Sequence, residues 1–242
     1  MNKLKLLKTL LMIVVSLKTF AQSPSVLGRW LTITDNQKTT LTIEENVFKY
    51  LKEDVSRPEH EPKRNNISVF KIIYASDKKS GKVILGPDKT SRDSKPYSII
   101  FFKDLSYSQF TLIDKRLSFS TAEEAIKSVV PDNITKSDIF IVFYNPQQFK
   151  KLNSLPQIPK PDKKIVLDWL DLLIQKKEFY MKAHPKTDKN EIPQLASLWL
   201  EELIIEKNYN PFTGVSIFKQ GIKKLQTDME VFEKIRALEG EI

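Results

Sequence analysis

Three short runs near the start of the chain decide the fold: Trp30–Thr34 (WLTIT), Thr40–Ile43 (TLTI) and Val47–Leu51 (VFKYL). Each run is rich in β-branched and aromatic residues, which favour strands. The residues between the runs, at 35–37 and 45–46, are polar turn formers. Short alternating runs with tight connections predict an antiparallel meander.

Five more runs of the same character follow along the chain, which brings the predicted total to about eight strands. They are Ser68–Tyr74, Lys82–Leu85, Tyr97–Phe102, Gln109–Ile113 and Ile139–Tyr144. About eight strands are enough to close a small barrel, so residues 22–150 are predicted to form a β-barrel domain. A Ser-x-x-Glu capping box at Ser120 predicts one short helix within this region.

Beyond the strands the hydrophobic period becomes helical. The segment 151–161 contains three prolines and predicts a stiff, exposed linker. Residues 162–242 predict three amphipathic helices, the first capped by Asp162, the second by Asn190 and the third running from Val215 to Leu238. The predicted fold class is therefore α+β, with an antiparallel β-barrel followed by a C-terminal three-helix domain.

A Gly-x-Trp signature, Gly28-Arg29-Trp30, opens the first strand. Glycine lets the entering chain turn tightly, and tryptophan can plug one end of a barrel. With the turn and the two strands after it, this signature resembles the lipocalin-like barrels of exported bacterial proteins over residues 24–145. The lysine-rich, cysteine-free composition is similar to that of exported Bacteroidota-type proteins. The resemblance implies a lipocalin-like barrel and leaves the function open.

A barrel that holds a ligand would line its interior with alternate residues of each strand. Here one alternating set is mainly aliphatic and aromatic, which predicts a small apolar ligand. The predicted ligand-binding residues are Trp30, Leu41, Ile43, Phe48, Tyr50, Phe70, Ile72, Tyr74, Phe110 and Leu112.

Residues 1–21 have the layout of a secretory signal peptide. Lys3, Lys5 and Lys8 precede a short apolar run at 10–15, and small residues flank a cleavage position after Ala21. The apolar run is far shorter than the roughly 20 residues of a membrane-spanning helix. The sequence therefore predicts an exported protein, periplasmic or extracellular, with no transmembrane segment after cleavage. Without residues 1–21 the chain has 35 basic and 30 acidic side chains, a net charge of +5.

The sequence offers little reactive chemistry. The chain has no cysteine, which excludes thiol catalysis and cysteine-ligated metals. Of its two histidines, His60 belongs to a polar loop predicted at 53–66, and His184 follows a helix end, where it complements the helix dipole. No catalytic residue, metal ligand or cofactor is assigned. The carboxylate pairs are interpreted as helix-start or solvated helix-surface residues: Glu123 with Glu124, Asp168 with Asp171, and Glu201 with Glu202.

Two functions from different classes fit these features. The favoured hypothesis is an exported, non-enzymatic binding protein that holds a small apolar ligand in the barrel. The alternative is a protein–protein interaction module, such as an inhibitor, an immunity factor or an envelope scaffold, acting through the helical domain and the 53–66 loop. Nucleic acid is disfavoured as a partner by the predicted export and the modest charge.

Overall fold

The computed structural model describes residues 24–34, 36–56, 66–76, 79–86, 97–128 and 140–239. The predicted signal peptide, His60 and most of the 53–66 loop lie outside these described residues. The strands are β1 Gly28–Thr34, β2 Gln37–Ile43, β3 Val47–Asp54, β4 Asn66–Ala75, β5 Gly81–Leu85, β6 Tyr97–Lys103, β7 Gln109–Phe119 and β8 Phe140–Tyr144. The helices are α1 Ala122–Lys127, α2 Pro146–Asn153, α3 Lys163–Ala183, α4 Ile192–Glu206, α5 Pro211–Lys224 and α6 Met229–Glu239.

The eight strands form a closed antiparallel barrel in which each strand pairs with its neighbours along the chain. Closure is made by β1, which pairs with β2 on one side and with β8 on the other, where Leu31 lies opposite Tyr144. The predicted barrel is thus confirmed. Strand β3 extends to Asp54 and β4 begins at Asn66, so both ends of the predicted 53–66 loop are strand.

The barrel interior is an aromatic core at the end where β1 begins. The ring of Phe110 lies 4.8 Å from that of Trp30, 6.1 Å from that of Phe102 and 5.6 Å from that of Phe143. All four side chains are at most 4% exposed. The indole N–H of Trp30 donates to the carbonyl oxygen of Val26 at 2.8 Å, which satisfies the one polar group that this ring buries.

A bulge in β4 changes which side chains face the interior. The register between β4 and β5 shifts between Ile72 and Tyr74, so an extra residue enters the alternation. Ala75 packs against the interior core in consequence, while Tyr74 is 42% exposed. The predicted inward position of Tyr74 is therefore wrong, because strict alternation does not continue through a bulge.

One patch of the barrel's outer surface is covered by α1. Thr121, one residue after the predicted capping serine, caps this helix by accepting a hydrogen bond from the backbone N–H of Glu124 at 3.2 Å. Ala125 of α1 then packs over β5, β6 and β7. The apolar residues buried beneath it are Ile84, Ile99, Phe101 and Ile113.

Lys82 of β5 ties α1 to the barrel. Its side chain is buried, and its ammonium group donates to the carbonyl oxygens of Ala125, Ile126 and Ser128 at the C-terminus of the helix. These carbonyls are among those that a helix end leaves without an internal partner. The positive charge also opposes the negative end of the helix dipole.

The C-terminal region contains four long helices and not three. The predicted helix from Val215 to Leu238 is wrong, because α5 ends at Lys224 and α6 begins at Met229. Asp228 separates them: its carboxylate accepts from the backbone N–H groups of Glu230 and Val231 at 3.2 and 3.4 Å, which starts a new helix. The second predicted helix begins at Ile192. Its predicted cap, Asn190, lies instead in a 3₁₀ turn that is capped by Asp188.

Most residues of the proline-rich segment are exposed, but two of its apolar side chains are buried. Leu152 closes α2 and is 2% exposed, and Ile158 joins the helical core at 5% exposure. The backbone N–H of Asn210 also donates to the carbonyl oxygen of Pro156 at 2.9 Å. The segment predicted as an exposed linker therefore holds the helices by apolar and backbone contacts.

Barrel and helices meet at a small junction cluster of Tyr144, Leu152 and Phe212. The ring of Phe212, at the start of α5, lies 5.8 Å from the ring of Tyr144 in β8 and 4.8 Å from that of Phe149 in α2. On α5, a Cβ placed on Gly214 would lie 2.9 Å from Ile204, so glycine lets α5 approach α4 closely. The outer wall of the barrel is thereby fixed against the helices.

Replacing Lys82 with Met should lower the free energy of unfolding by about 1–3 kcal/mol, because buried carbonyl groups at the end of α1 lose their donor. Urea unfolding of the purified protein measures this. Lys49→Met is the matched control, since Lys49 is an exposed lysine of β3, and it should change stability by less than about 0.5 kcal/mol. Equal stability of the two variants would contradict this role of Lys82.

Candidate functional site

The structure brings most of the predicted ligand-binding residues together inside the barrel. Tyr50 and Phe70 are partly buried against the interior core, and Tyr74 lies outside it. The remaining seven are buried members of that core: Trp30, Leu41, Ile43, Phe48, Ile72, Phe110 and Leu112.

These residues fill the interior with their own side chains. Trp30, Leu41, Ile43, Phe48 and Phe110 are each at most 4% exposed, so water-sized space against them is nearly absent. The rings of Trp30 and Phe110 are in aromatic contact, as in a packed core. At this level the barrel is a hydrophobic core, and a ligand would have to displace these contacts.

Open space lies instead at the junction between the barrel wall and the helices. A cleft of about 340 Å³ separates β1 and β8 from α4 and α5. Its apolar lining is Ile33, Phe140, Leu198, Pro211, Phe212 and Val215. Its polar lining is Thr34, Ser197, Glu201, Ser216, Lys219, Gln220 and Lys223. The volume lies at the lower end of the range of small-molecule sites, and the lining is more polar than in most of them.

Glu201 is the most unusual group in this cleft. Its Oε1 accepts a hydrogen bond from the hydroxyl of Tyr144 at 2.7 Å. Burial raises the pKa of the Glu201 carboxyl to about 7, although the hydrogen bond from Tyr144 works in the opposite direction. Burial and the nearby carboxylate together raise the pKa of Tyr144, so the phenol keeps its proton and donates. With this pKa, the Glu201 carboxyl is partly protonated and partly ionised near neutral pH.

Glu201 is half-buried and hydrogen-bonded to the barrel, so its interpretation as a fully solvated helix-surface residue is wrong. Its neighbour Glu202 is exposed and forms an ion pair with Lys176 at 3.2 Å, as such a residue does. A sequence signal for Glu201 exists, because Leu198, Glu201 and Ile205 follow an i, i+3, i+7 spacing. All three side chains are half-buried: Leu198 and Glu201 line the cleft, and Ile205 packs against the junction cluster.

The cleft becomes basic along α5. Phe212, Val215, Lys219 and Lys223 lie at three- and four-residue spacing on one helix face, which changes from apolar to charged. The ammonium group of Lys219 donates to the hydroxyl of Ser197 in α4 at 3.3 Å. One contact therefore links the two helices beside the cleft.

The other candidate groups have structural roles where the structure describes them. Glu123 pairs with Lys127 at 2.7 Å on α1, and Asp171 pairs with Lys234 between α3 and α6. His184 caps α3, and its Nδ1 lies 3.1 Å from the carbonyl oxygen of Tyr180. Within the described ranges no three histidine, aspartate or glutamate side chains come together as a metal site would require.

Comparison with known proteins returns no match: no protein-family model, no curated protein and no solved structure is similar to this chain. None of the helices in the described part of the chain has the length and apolar character needed to cross a membrane. The function must therefore be argued from the chemistry of the cleft itself.

Replacing Glu201 with Gln should change how stability depends on pH. The pKa of Glu201 rises from an ordinary 4.5 to about 7 on folding, so between these values the folded protein binds more protons than the unfolded chain. Stability therefore falls as pH rises from about 5 to about 7. Glutamine keeps an acceptor for Tyr144 without the charge, so Glu201→Gln should be more stable than the wild type by about 1–3 kcal/mol at pH 8.

Urea unfolding at pH 5 and pH 8 measures this difference, which should be much smaller at pH 5 than at pH 8. The matched control is Glu202→Gln on the same helix, whose effect should be small and equal at both pH values. An equal difference between Glu201→Gln and the wild type at pH 5 and pH 8 would exclude a neutral-pH titration of Glu201.

Proposed function

We propose that this chain is an exported, non-enzymatic binding protein that holds a small, largely apolar ligand in the cleft between the barrel and helices α4 and α5. The cleft itself supports this proposal, because it offers about 340 Å³ of space lined by six apolar and seven polar residues. We place the proposed site in the cleft and not in the barrel interior, because the interior side chains pack against one another.

The polar groups of the cleft suit binding better than catalysis. Glu201 accepts a hydrogen bond from Tyr144, and the exposed Lys219 donates one to Ser197, so both groups have a partner at the edge of the ligand space. A partly neutral carboxyl can donate or accept a hydrogen bond without carrying a full charge into an apolar site. The non-enzymatic part of the proposal also draws on the absence of cysteine from the sequence and on the capping role of His184.

We also propose that the barrel is lipocalin-like. Gly28 has a φ of +140°, which glycine adopts readily, and it leads the chain into β1 beside Trp30. The hydrogen bond from Trp30 to Val26 fastens the indole across this end of the barrel. These features agree with the Gly-x-Trp signature.

A second candidate function is a protein–protein interaction module, and the outer face of β4 favours it. Ile67 and Val69 are 64% and 55% exposed, beside the segment 57–65. Lys49 and Lys71 lie next to them in the register of β3 and β4, so this face suits a partner protein with apolar and acidic side chains.

A photo-crosslinking residue in place of Ile67 should then capture one envelope protein. The control is the same residue in place of the exposed Gln226, which lies outside β4 and should not capture it. Equal labelling at the two positions would exclude this candidate.

Export predicts a mature chain that begins at Gln22. The signal peptide is cleaved after small residues, so the protein recovered from its native cell envelope should lack residues 1–21. Intact-mass spectrometry measures this directly, and native mass spectrometry of the same sample reveals any stoichiometric small molecule. A full-length chain retained inside the cell would contradict export.

Ligand binding in the cleft predicts that a bulky side chain there blocks a neutral apolar probe. N-phenyl-1-naphthylamine should bind the wild type with one equivalent, and Gln220→Trp should weaken this by at least about tenfold, or 1.4 kcal/mol. Fluorescence titration measures both.

The control is Gln175→Trp, an exposed glutamine of α3 that does not line the cleft. It should bind the probe as the wild type does. Equal affinity of the two tryptophan variants, or no stoichiometric binding by the wild type, would place the function elsewhere.

A further inference from the structure

The two ends of the cleft differ in polarity and charge. Along α5 its lining begins with Pro211, Phe212 and Val215 and ends with Lys219 and Lys223. The stretch from Phe212 to Lys223 spans about 17 Å, at 1.5 Å per helical residue. One end of the space is therefore apolar and the other carries two positive charges about one helical turn apart.

Lys219 and Lys223 both line the cleft. They lie four residues apart, so their side chains are on one face of α5. The described polar partner of Lys219 is the neutral hydroxyl of Ser197 at 3.3 Å, and not a carboxylate. An anion that enters this end would meet two cations at once.

Glu201 lies between the two ends. Gly214 of α5 packs on Ile204, and Lys219 contacts Ser197, so Glu201 of α4 is level with the middle of the α5 face. The groups around it are the Tyr144 hydroxyl from β8, Glu202 on its own helix, and the lysines of α5 in the same cleft. When Glu201 is ionised, its negative charge offsets part of the positive charge of the lysines.

We propose that the cleft selects an amphipathic anion, whose acidic head group binds between Lys219 and Lys223 and whose apolar body lies along Phe212 and Val215. This inference rests on the cleft being the binding site. It adds the chemical class of the ligand and a preferred orientation. Protonation of Glu201 then removes the one negative charge among the groups that line the cleft, so the anion binds more tightly at lower pH.

Two dyes that share one ring system test the charge requirement. N-phenyl-1-naphthylamine is neutral, and 8-anilino-1-naphthalenesulfonate carries one added sulfonate. The double variant Lys219→Met, Lys223→Met should lower the affinity for the sulfonate relative to that for the neutral dye about fivefold, as expected for partly screened charges. The loss should shrink in high salt.

The matched control is Lys182→Met, Lys224→Met, which removes the same net charge from exposed helix positions outside the cleft. This control should bind both dyes as the wild type does. Equal effects of the two double variants on the sulfonate would overturn the inference, while displacement of the neutral dye by Gln220→Trp would still support the cleft as the site. Failure of the neutral dye to bind would instead overturn the proposed function.

The pH dependence tests the role of Glu201. Because the pKa of Glu201 is about 7, affinity for the sulfonate should rise severalfold from pH 8 to pH 6, and the neutral dye should not follow. Glu201→Gln should abolish this dependence, and Glu202→Gln should retain it. A sulfonate affinity that changes equally in the wild type and in Glu201→Gln would overturn the assigned role of this carboxyl.

Discussion

Tyr144 is the residue on which the barrel, the helices and the cleft all depend. Its position in β8 pairs with Gln109 of β7 and Leu31 of β1, so its backbone closes the barrel. Its ring packs against Phe212 of α5, and its hydroxyl donates to Glu201 of α4. Because the side chain is only 2% exposed, the hydroxyl needs this acceptor. Barrel closure, helix docking and the position of the Glu201 carboxylate are therefore linked through one residue.

The junction also explains why a cleft exists at this place. The outer faces of β1 and β8 carry apolar side chains, among them Ile33 and Val142, which must be covered. Phe212 at the start of α5 covers them, but three residues later along the same face the helix presents Val215 and then Lys219. Lysine ammonium groups stay hydrated and do not pack on an apolar wall. The fit between α5 and the barrel therefore ends where the helix face becomes charged, and space remains.

Local patterns predicted most of the fold. Short alternating runs gave the strands and their antiparallel pairing, because side-chain alternation and tight turns are local properties. The bulge that turns Tyr74 outward needed the register of the neighbouring strand, which no single run contains. The break between α5 and α6 carried a signal, the cap at Asp228, but the continuous apolar spacing across it favoured one helix. The spacing of Glu201 with Leu198 and Ile205 carried a weak signal, but the contact with Tyr144 depends on the barrel wall that docks beside α4, which no local pattern contains.

The filled barrel and the open cleft meet different physical requirements, which are stability and open space. A chain without disulfides must draw its stability from packed cores, and the contacts around Phe110 supply one inside the barrel. A binding site needs the opposite, which is space and polar groups that are not fully satisfied by packing. The cleft has walls from both parts of the molecule, β1 and β8 on one side and α4 and α5 on the other. Under the proposed function, a ligand that contacts both walls would stabilise their association with the logarithm of its concentration relative to its Kd, so occupancy of the cleft and docking of the helices would reinforce each other.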